Sequence, residues 1–260
     1  VTLSTTEPPT SQSEPATTAG SAAAAGAAGA AGAPKYHLEF TEEMKGFVTF
    51  DETDYQRGFD RGRASNSALM FHLTIGTDDT YAFIADPDHV ATAVGYVASD
   101  VFGGRLPVER GVFNLFVDAG IQNQEPARHM RYRLWFRDAV GHPLTLSGFK
   151  DIKHPVAAVS TIGDVWGETT TLYTRILAGH IEDGGDDAAP LVAAGIIHIL
   201  PLDFAHQLTT FRVKGPDRSG RWRAFFAFGS LFLGQLWEVF RPRLPWRRRP
   251  AAPNNRTGGA

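Results

Sequence analysis

The 260-residue chain carries a net charge of −3 and no cysteine, which excludes disulfides, thiolate zinc sites and cysteine nucleophiles. Its charge is unevenly placed: residues 1–34 hold two Glu and no base, residues 241–260 hold six Arg and no acid, and the stretch between sets 19 bases against 26 acids. An acidic body argues against a nucleic-acid-binding surface on the folded part.

Residues 1–35 are Thr, Ser, Pro, Ala and Gly almost throughout, ending in SAAAAGAAGAAGAP and Lys35. So little large apolar side chain offsets no ordering entropy, and the stretch is expected to be a disordered linker. Glu7 and Glu14 stand where a signal peptide needs bases. The chain begins with Val rather than Met, as a fragment or a non-standard start would.

From Tyr36 onward the apolar signal is short and alternating. Strands are expected at 44–50, 67–75, 89–99, 106–118, 128–138, 142–152, 169–180, 191–200 and 204–213, separated by GTDD, DPD, FGG, DAVG and EDGGDD. The pair around Asp138–Gly141 is the clearest: Tyr132, Leu134 and Phe136 alternate with Arg131, Arg133 and Arg137 before the turn, and Leu144 and Leu146 resume after it. Glycines recur inside strands at 46, 95, 111, 148 and 195, as bulges and bends require where a sheet curls. Gly148 in particular is expected at a bend or a close backbone approach. Helical periodicity is weak here and confined to 86–96. Likeness between the two halves reads as convergent strand chemistry at least as well as duplication. The expected fold is therefore all-β: one antiparallel sandwich or curled barrel of about nine strands over 36–213.

Residues 214–240 change period. Over 222–240, Arg223, Ala227, Ser230, Gly234 and Glu238 fall on one narrow helical stripe. Trp222, Phe225, Phe226, Phe228, Leu231, Phe232, Leu236, Trp237 and Phe240 cover much of the rest, a helix with a very wide apolar arc. Its uncharged run, Ala224 to Trp237, spans about 21 Å as a helix, short of the roughly 30 Å hydrocarbon core. A basic tail, 241–260, follows with Arg241, Arg243, Trp246, Arg247, Arg248 and Arg249. Three roles are open to the helix: capping its own barrel, docking on a partner domain, or lying in an anionic membrane interface.

Catalytic patterns are weak. His180, His198, Asp203 and His206 could form a ligand-binding, metal or acid–base group, but structural and surface roles outweigh that for histidines at strand ends. Asp78, Asp79, Asp86 and Asp88 with His89 could hold a divalent cation, yet Asp is also what turns use. Ser147 and Ser160 lack partners for a nucleophile, Glu42 and Glu43 are expected to be exposed, and the arginines of 128–137 to solvate a strand's outer face.

The strings FTEEMKGF (40–47), GVFNLFV (111–117), MRYRLWFRDAVGHPLTLSGFK (130–150), TTLYTRILAGH (170–180) and DFAHQLTTFRV (203–213) resemble a β-rich accessory module. That module occurs in large bacterial cholesterol-oxidase-like polypeptides with a glucose–methanol–choline flavoenzyme domain and sometimes an α/β-hydrolase domain. The flavin fingerprint G-x-G-x-x-G and the elbow G-x-S-x-G are both absent. The resemblance thus implies a non-catalytic docking module without metal or cofactor. It would serve a lipid- or sterol-directed oxidoreductase or hydrolase in cis or trans, in the cytoplasm or at the cytoplasmic membrane face. The competing reading is a small barrel that binds or converts an apolar molecule, with His and Asp residues at its mouth.

Overall fold

The computed structural model describes residues 33–122, 125–152, 170–199 and 209–240. The expected linker through residue 32, the basic tail, Ser160, Asp203 and His206 lie outside them, as do the side chains of Leu236, Trp237 and Phe240.

Eight strands run as an antiparallel meander: β1 (His37–Phe50), β2 (Ala68–Thr77), β3 (Val90–Ser99), β4 (Gly104–Gln122), β5 (Glu125–Arg137), β6 (Pro143–Ile152), β7 (Thr171–Ala178) and β8 (Leu191–His198). Lys45 of β1 faces Met70 of β2 on one side and His198 of β8 on the other, so the sheet closes into a barrel. A ninth strand, β9 (Arg212–Lys214), adds to the start of β1, where Leu38 faces Val213. It is shorter than the expected 204–213, and Thr209 and Thr210 are helical.

Closure needs bent strands. The register of β3 on β4 shifts between Thr92 and Tyr96, at Gly95, whose φ is 154°. A Cβ there would lie 2.0 Å from the His72 carbonyl oxygen, so only glycine lets β2 and β3 approach. Gly148 differs from the expectation. Pairing runs through it without a shift on both sides, and its nearest neighbour is a side chain, Leu172, at 3.1 Å rather than a backbone.

Alternate side chains of every strand meet inside. Met44, Phe71, Leu73, Ile75, Leu134, Phe136, Leu146 and Ile176 are all essentially inaccessible, as an eight-stranded barrel filled by side chains requires. Outside, the β7–β8 loop covers part of the wall. Arg133 bonds Asp183 and Asp186, and Trp135 Nε1 donates to the Ile181 carbonyl at 3.0 Å. Arg133 is thus buried rather than solvating its face; Arg131 and Arg137 pair with Asp183 and Glu109.

The described residues also hold the α-helices α1 (Tyr55–Ala64), α2 (Thr80–Ala85) and α3 (Arg218–Phe240). Neither α1 nor α2 was expected, and residues 90–96, where helical periodicity surfaced, are strand. Helix α1 begins at Asp54, whose carboxylate accepts the Arg57 amide at 2.8 Å. Its buried residues are Gly58 and Gly62, which let its backbone lie flush on β8 and β1. Helix α3 closes one barrel end. Phe228 packs on Phe83 and Phe211, and Phe232 on Phe116. Tyr36 holds both α2 and α3: its carbonyl accepts from the Thr80 hydroxyl at 2.6 Å, and its hydroxyl donates to Asp217 at 2.6 Å. Asp217 also accepts the Gly220 amide, capping the first turn of α3.

Candidate functional site

Beneath the α3 cap the barrel encloses a charged group. Glu42, expected at the surface, alternates inward with Phe40 and Met44 on β1 and is 2 % exposed. Lys150, inward on β6, is equally buried and donates to Glu42 Oε1; Tyr132, inward on β5, donates to Oε2 at 2.7 Å. The Lys150 ammonium also lies 5.0 Å from the Tyr132 ring centre. Burial foremost, and then the Glu42 charge, push the Tyr132 hydroxyl well above its usual range, so it stays a donor. Both Glu42 oxygens are engaged, as a carboxyl group taken out of water requires. From this group aromatic contacts run through Phe113, Phe40 and Phe211 to Phe228 of α3. Packed on every side, the cluster ties β1, β5 and β6 together.

A second feature lies outside the wall. Facing residues on five strands form the row His198–Lys45–Met70–Ala98–Arg105. Phe59 of α1 stands over one end, edge-on to Phe47 and His198. The groove between them has a volume of about 590 Å³. His198 is half-buried, and burial lowers its pKa, so the ring is neutral at pH 7. The Thr171 hydroxyl lies 3.2 Å from His198 Nδ1. Arg105 stacks over Tyr96, its guanidinium carbon 3.7 Å from the ring centre. No acid pairs with it among the described residues, whereas Lys45 is bound to Glu43.

The third feature is the outer side of α3. Ala224 and Phe228 are buried against the barrel, while Trp222 is 52 % and Phe226 64 % exposed. Their rings stack at 5.9 Å, with Phe225 edge-on to Trp222. Exposed Arg218 and Arg221 flank them, with no acid partner among the described residues.

Of the expected histidine group, His180 and His198 lie apart, and Asp203 and His206 fall outside the described residues. His180 follows β7 at one end of the barrel, donating to the Phe136 carbonyl at 3.2 Å, whereas His198 ends β8 at the other. The aspartates of 78–88 serve turns: Asp86 accepts the Asp88 and Val90 amides, and Asp79 the Tyr36 amide. Among the described residues no three acids and histidines gather as metal ligands. Ser147 donates to Asp186, which Arg133 holds, so it lacks the base a nucleophile needs. Of the expected α3 residues, Phe228, Leu231 and Phe232 face the barrel and Trp222 and Phe226 face out. Lys150 escaped sequence reasoning, although its place in the alternation Leu144, Leu146, Gly148, Lys150, Ile152 marks it as inward.

No family model matches the chain, and no curated protein or solved structure matches it either.

Proposed function

We propose that this chain is a non-catalytic accessory module that docks on an anionic membrane surface. There it serves a lipid- or sterol-directed oxidoreductase or hydrolase in cis or trans, the client class implied by the strings at 40–47, 130–150 and 170–180. The observation that carries the docking is the Trp222–Phe226 stack on α3, turned away from the barrel and flanked by Arg218 and Arg221. Indole and phenyl rings settle at the headgroup level, and each arginine near an anionic surface adds about 1 kcal/mol. A filled barrel leaves recognition to the outside. No helix among the described residues is long and apolar enough to cross a membrane, so α3 would lie along the surface.

The test is co-sedimentation of the full chain with phosphatidylcholine vesicles, with and without phosphatidylglycerol. Removing α3 would uncover Phe116 and Phe211, so the informative variant is Trp222→Ser with Phe226→Ser, at exposed positions. The wild type is expected to sediment with anionic vesicles, less at high salt, because screening removes the arginine contribution and leaves the aromatic one. The variant is expected to stay in solution. Equal sedimentation of the two, or none by the wild type, would remove the membrane role.

A further inference from the structure

We propose that the groove on the outer wall, between α1 and the β1–β2–β3 face, binds a small amphipathic anion: a carboxylate or sulfonate carried on a flat or extended apolar body. This site is separate from the α3 face and does not depend on the membrane reading.

The dimensions suit such a ligand. A volume of about 590 Å³ falls within the roughly 300–1,000 Å³ of small-molecule sites. Adjacent strands lie about 4.8 Å apart, so Lys45 and Arg105, three strand spacings from each other, are separated by up to about 14 Å along the wall. The floor between them is Met70 and Ala98, continuing to Phe47 and Phe59. The strip has Arg105 at one end and Phe59 with His198 at the other, and Lys45 borders it between Met70 and His198.

The two cations are not equivalent. Glu43 already binds Lys45. The Arg105 guanidinium is held flat against Tyr96, which His72 backs from the other side in a stack at 5.5 Å. A guanidinium immobilised by stacking keeps its planar fork of donors and loses little freedom when an oxyanion meets it edge-on. Arg105 is therefore the anchor for the anion, and the apolar body runs from it over Met70 toward Phe59. Asp100 also lines the groove and repels an anion placed beside it, so the anion must sit on the Arg105 donors.

The far end supplies direction. His198 Nδ1 meets the Thr171 hydroxyl at 3.2 Å, which leaves Nε2 to exchange a hydrogen bond with a polar atom at the ligand's tail. The site is also preformed. Gly58 and Gly62 seat α1 against the backbones of β8 and β1, and the Thr49 hydroxyl donates to the Gly58 carbonyl at 2.9 Å, so Phe59 stands in a fixed place.

The experiment titrates the full chain with 8-anilinonaphthalene-1-sulfonate by fluorescence, and then displaces the dye with dodecanoate. Saturable binding of one equivalent is expected, with dodecanoate competing and dodecanol competing poorly. Arg105→Ala, at an exposed position, is expected to weaken both anions about tenfold or more, the worth of a charge-assisted hydrogen bond. Met70→Trp, which fills the floor, is expected to abolish dye binding while leaving the denaturation midpoint close to wild type. The Trp222→Ser/Phe226→Ser variant should bind as the wild type does. The proposal is overturned if neither anion binds saturably, if Arg105→Ala and Met70→Trp both bind normally, or if binding is lost only in the α3 variant.

Discussion

The buried Glu42–Lys150 pair makes the sharpest energetic prediction. Lys150→Met keeps the length of the side chain and removes the ammonium, leaving a carboxylate in the barrel with only the Tyr132 hydroxyl at 2.7 Å. Glu42→Leu does the reverse, stranding an ammonium that is 3 % exposed. Removing one partner of such a pair costs about 3–5 kcal/mol, because the remaining charge stays desolvated without compensation. Against a total stability of roughly 5–15 kcal/mol, either change is severe. The double variant Glu42→Leu/Lys150→Met leaves no charge behind and should recover most of the loss, short of the wild type by about 1–3 kcal/mol for the Tyr132 hydroxyl left without its acceptor. A guanidinium denaturation series at pH 7 on all four proteins gives the coupling energy, expected at roughly 3 kcal/mol or more. Tyr132→Phe, which removes one bond to a charged acceptor, should cost about 1.5–3 kcal/mol. If the two single losses simply add in the double variant, the charges are not each other's partner and the interior described above is wrong.

Two further outcomes follow from the seat of α1. Gly62→Ala would place a methyl 2.4 Å from the Val48 carbonyl oxygen, which the helix can relieve only by moving off the wall; a loss of about 1–3 kcal/mol is expected in thermal or denaturant unfolding, and an unchanged midpoint would show that α1 is not held flush. Glu52, which accepts from Arg57, from the Asp54 and Thr53 amides and from Arg61, has its carboxyl lowered to about 2, Arg57 being the largest cause. A depressed folded-state pKa contributes stability that is present above the unfolded value of 4.5 and lost as pH falls toward 2; Glu52→Gln should flatten the stability profile across that window, and an unaltered acid limb would refute the assignment.

Much of the architecture was written in short-range pattern. Alternation at 128–138 and 142–152 located β5 and β6 because a strand with one buried face must repeat every two residues. The turn between them followed from Asp138 and Gly141: Asp138 Oδ1 accepts the Val140 and His142 amides, and Gly141 takes φ 93°. The glycines at 46, 95, 111 and 195 signalled curling, and each meets a neighbouring strand's backbone. Helix α1 stayed hidden because its fully buried residues are two glycines, which leaves Tyr55 and Phe59 as the large side chains that mark its wall-facing stripe.

Closure and the polar interior belonged to the tertiary structure. Nothing local tells that β8 returns to β1, since the pairing of Lys45 with His198 joins residues far apart in the chain. Charge at Glu42 reads as exposure until Lys150, 108 positions away, is brought to its carboxylate. Only closure makes that burial tolerable, because an ionised group leaves water when another chain segment supplies its counter-charge and hydrogen bonds. The same holds for the two faces of α3. Its apolar arc was visible in composition, but which rings fill the barrel end and which stay in water depends on where Tyr36 and Asp217 fix the helix. Periodicity records which residues avoid water; the contacts that let a charge join them form only when distant strands meet.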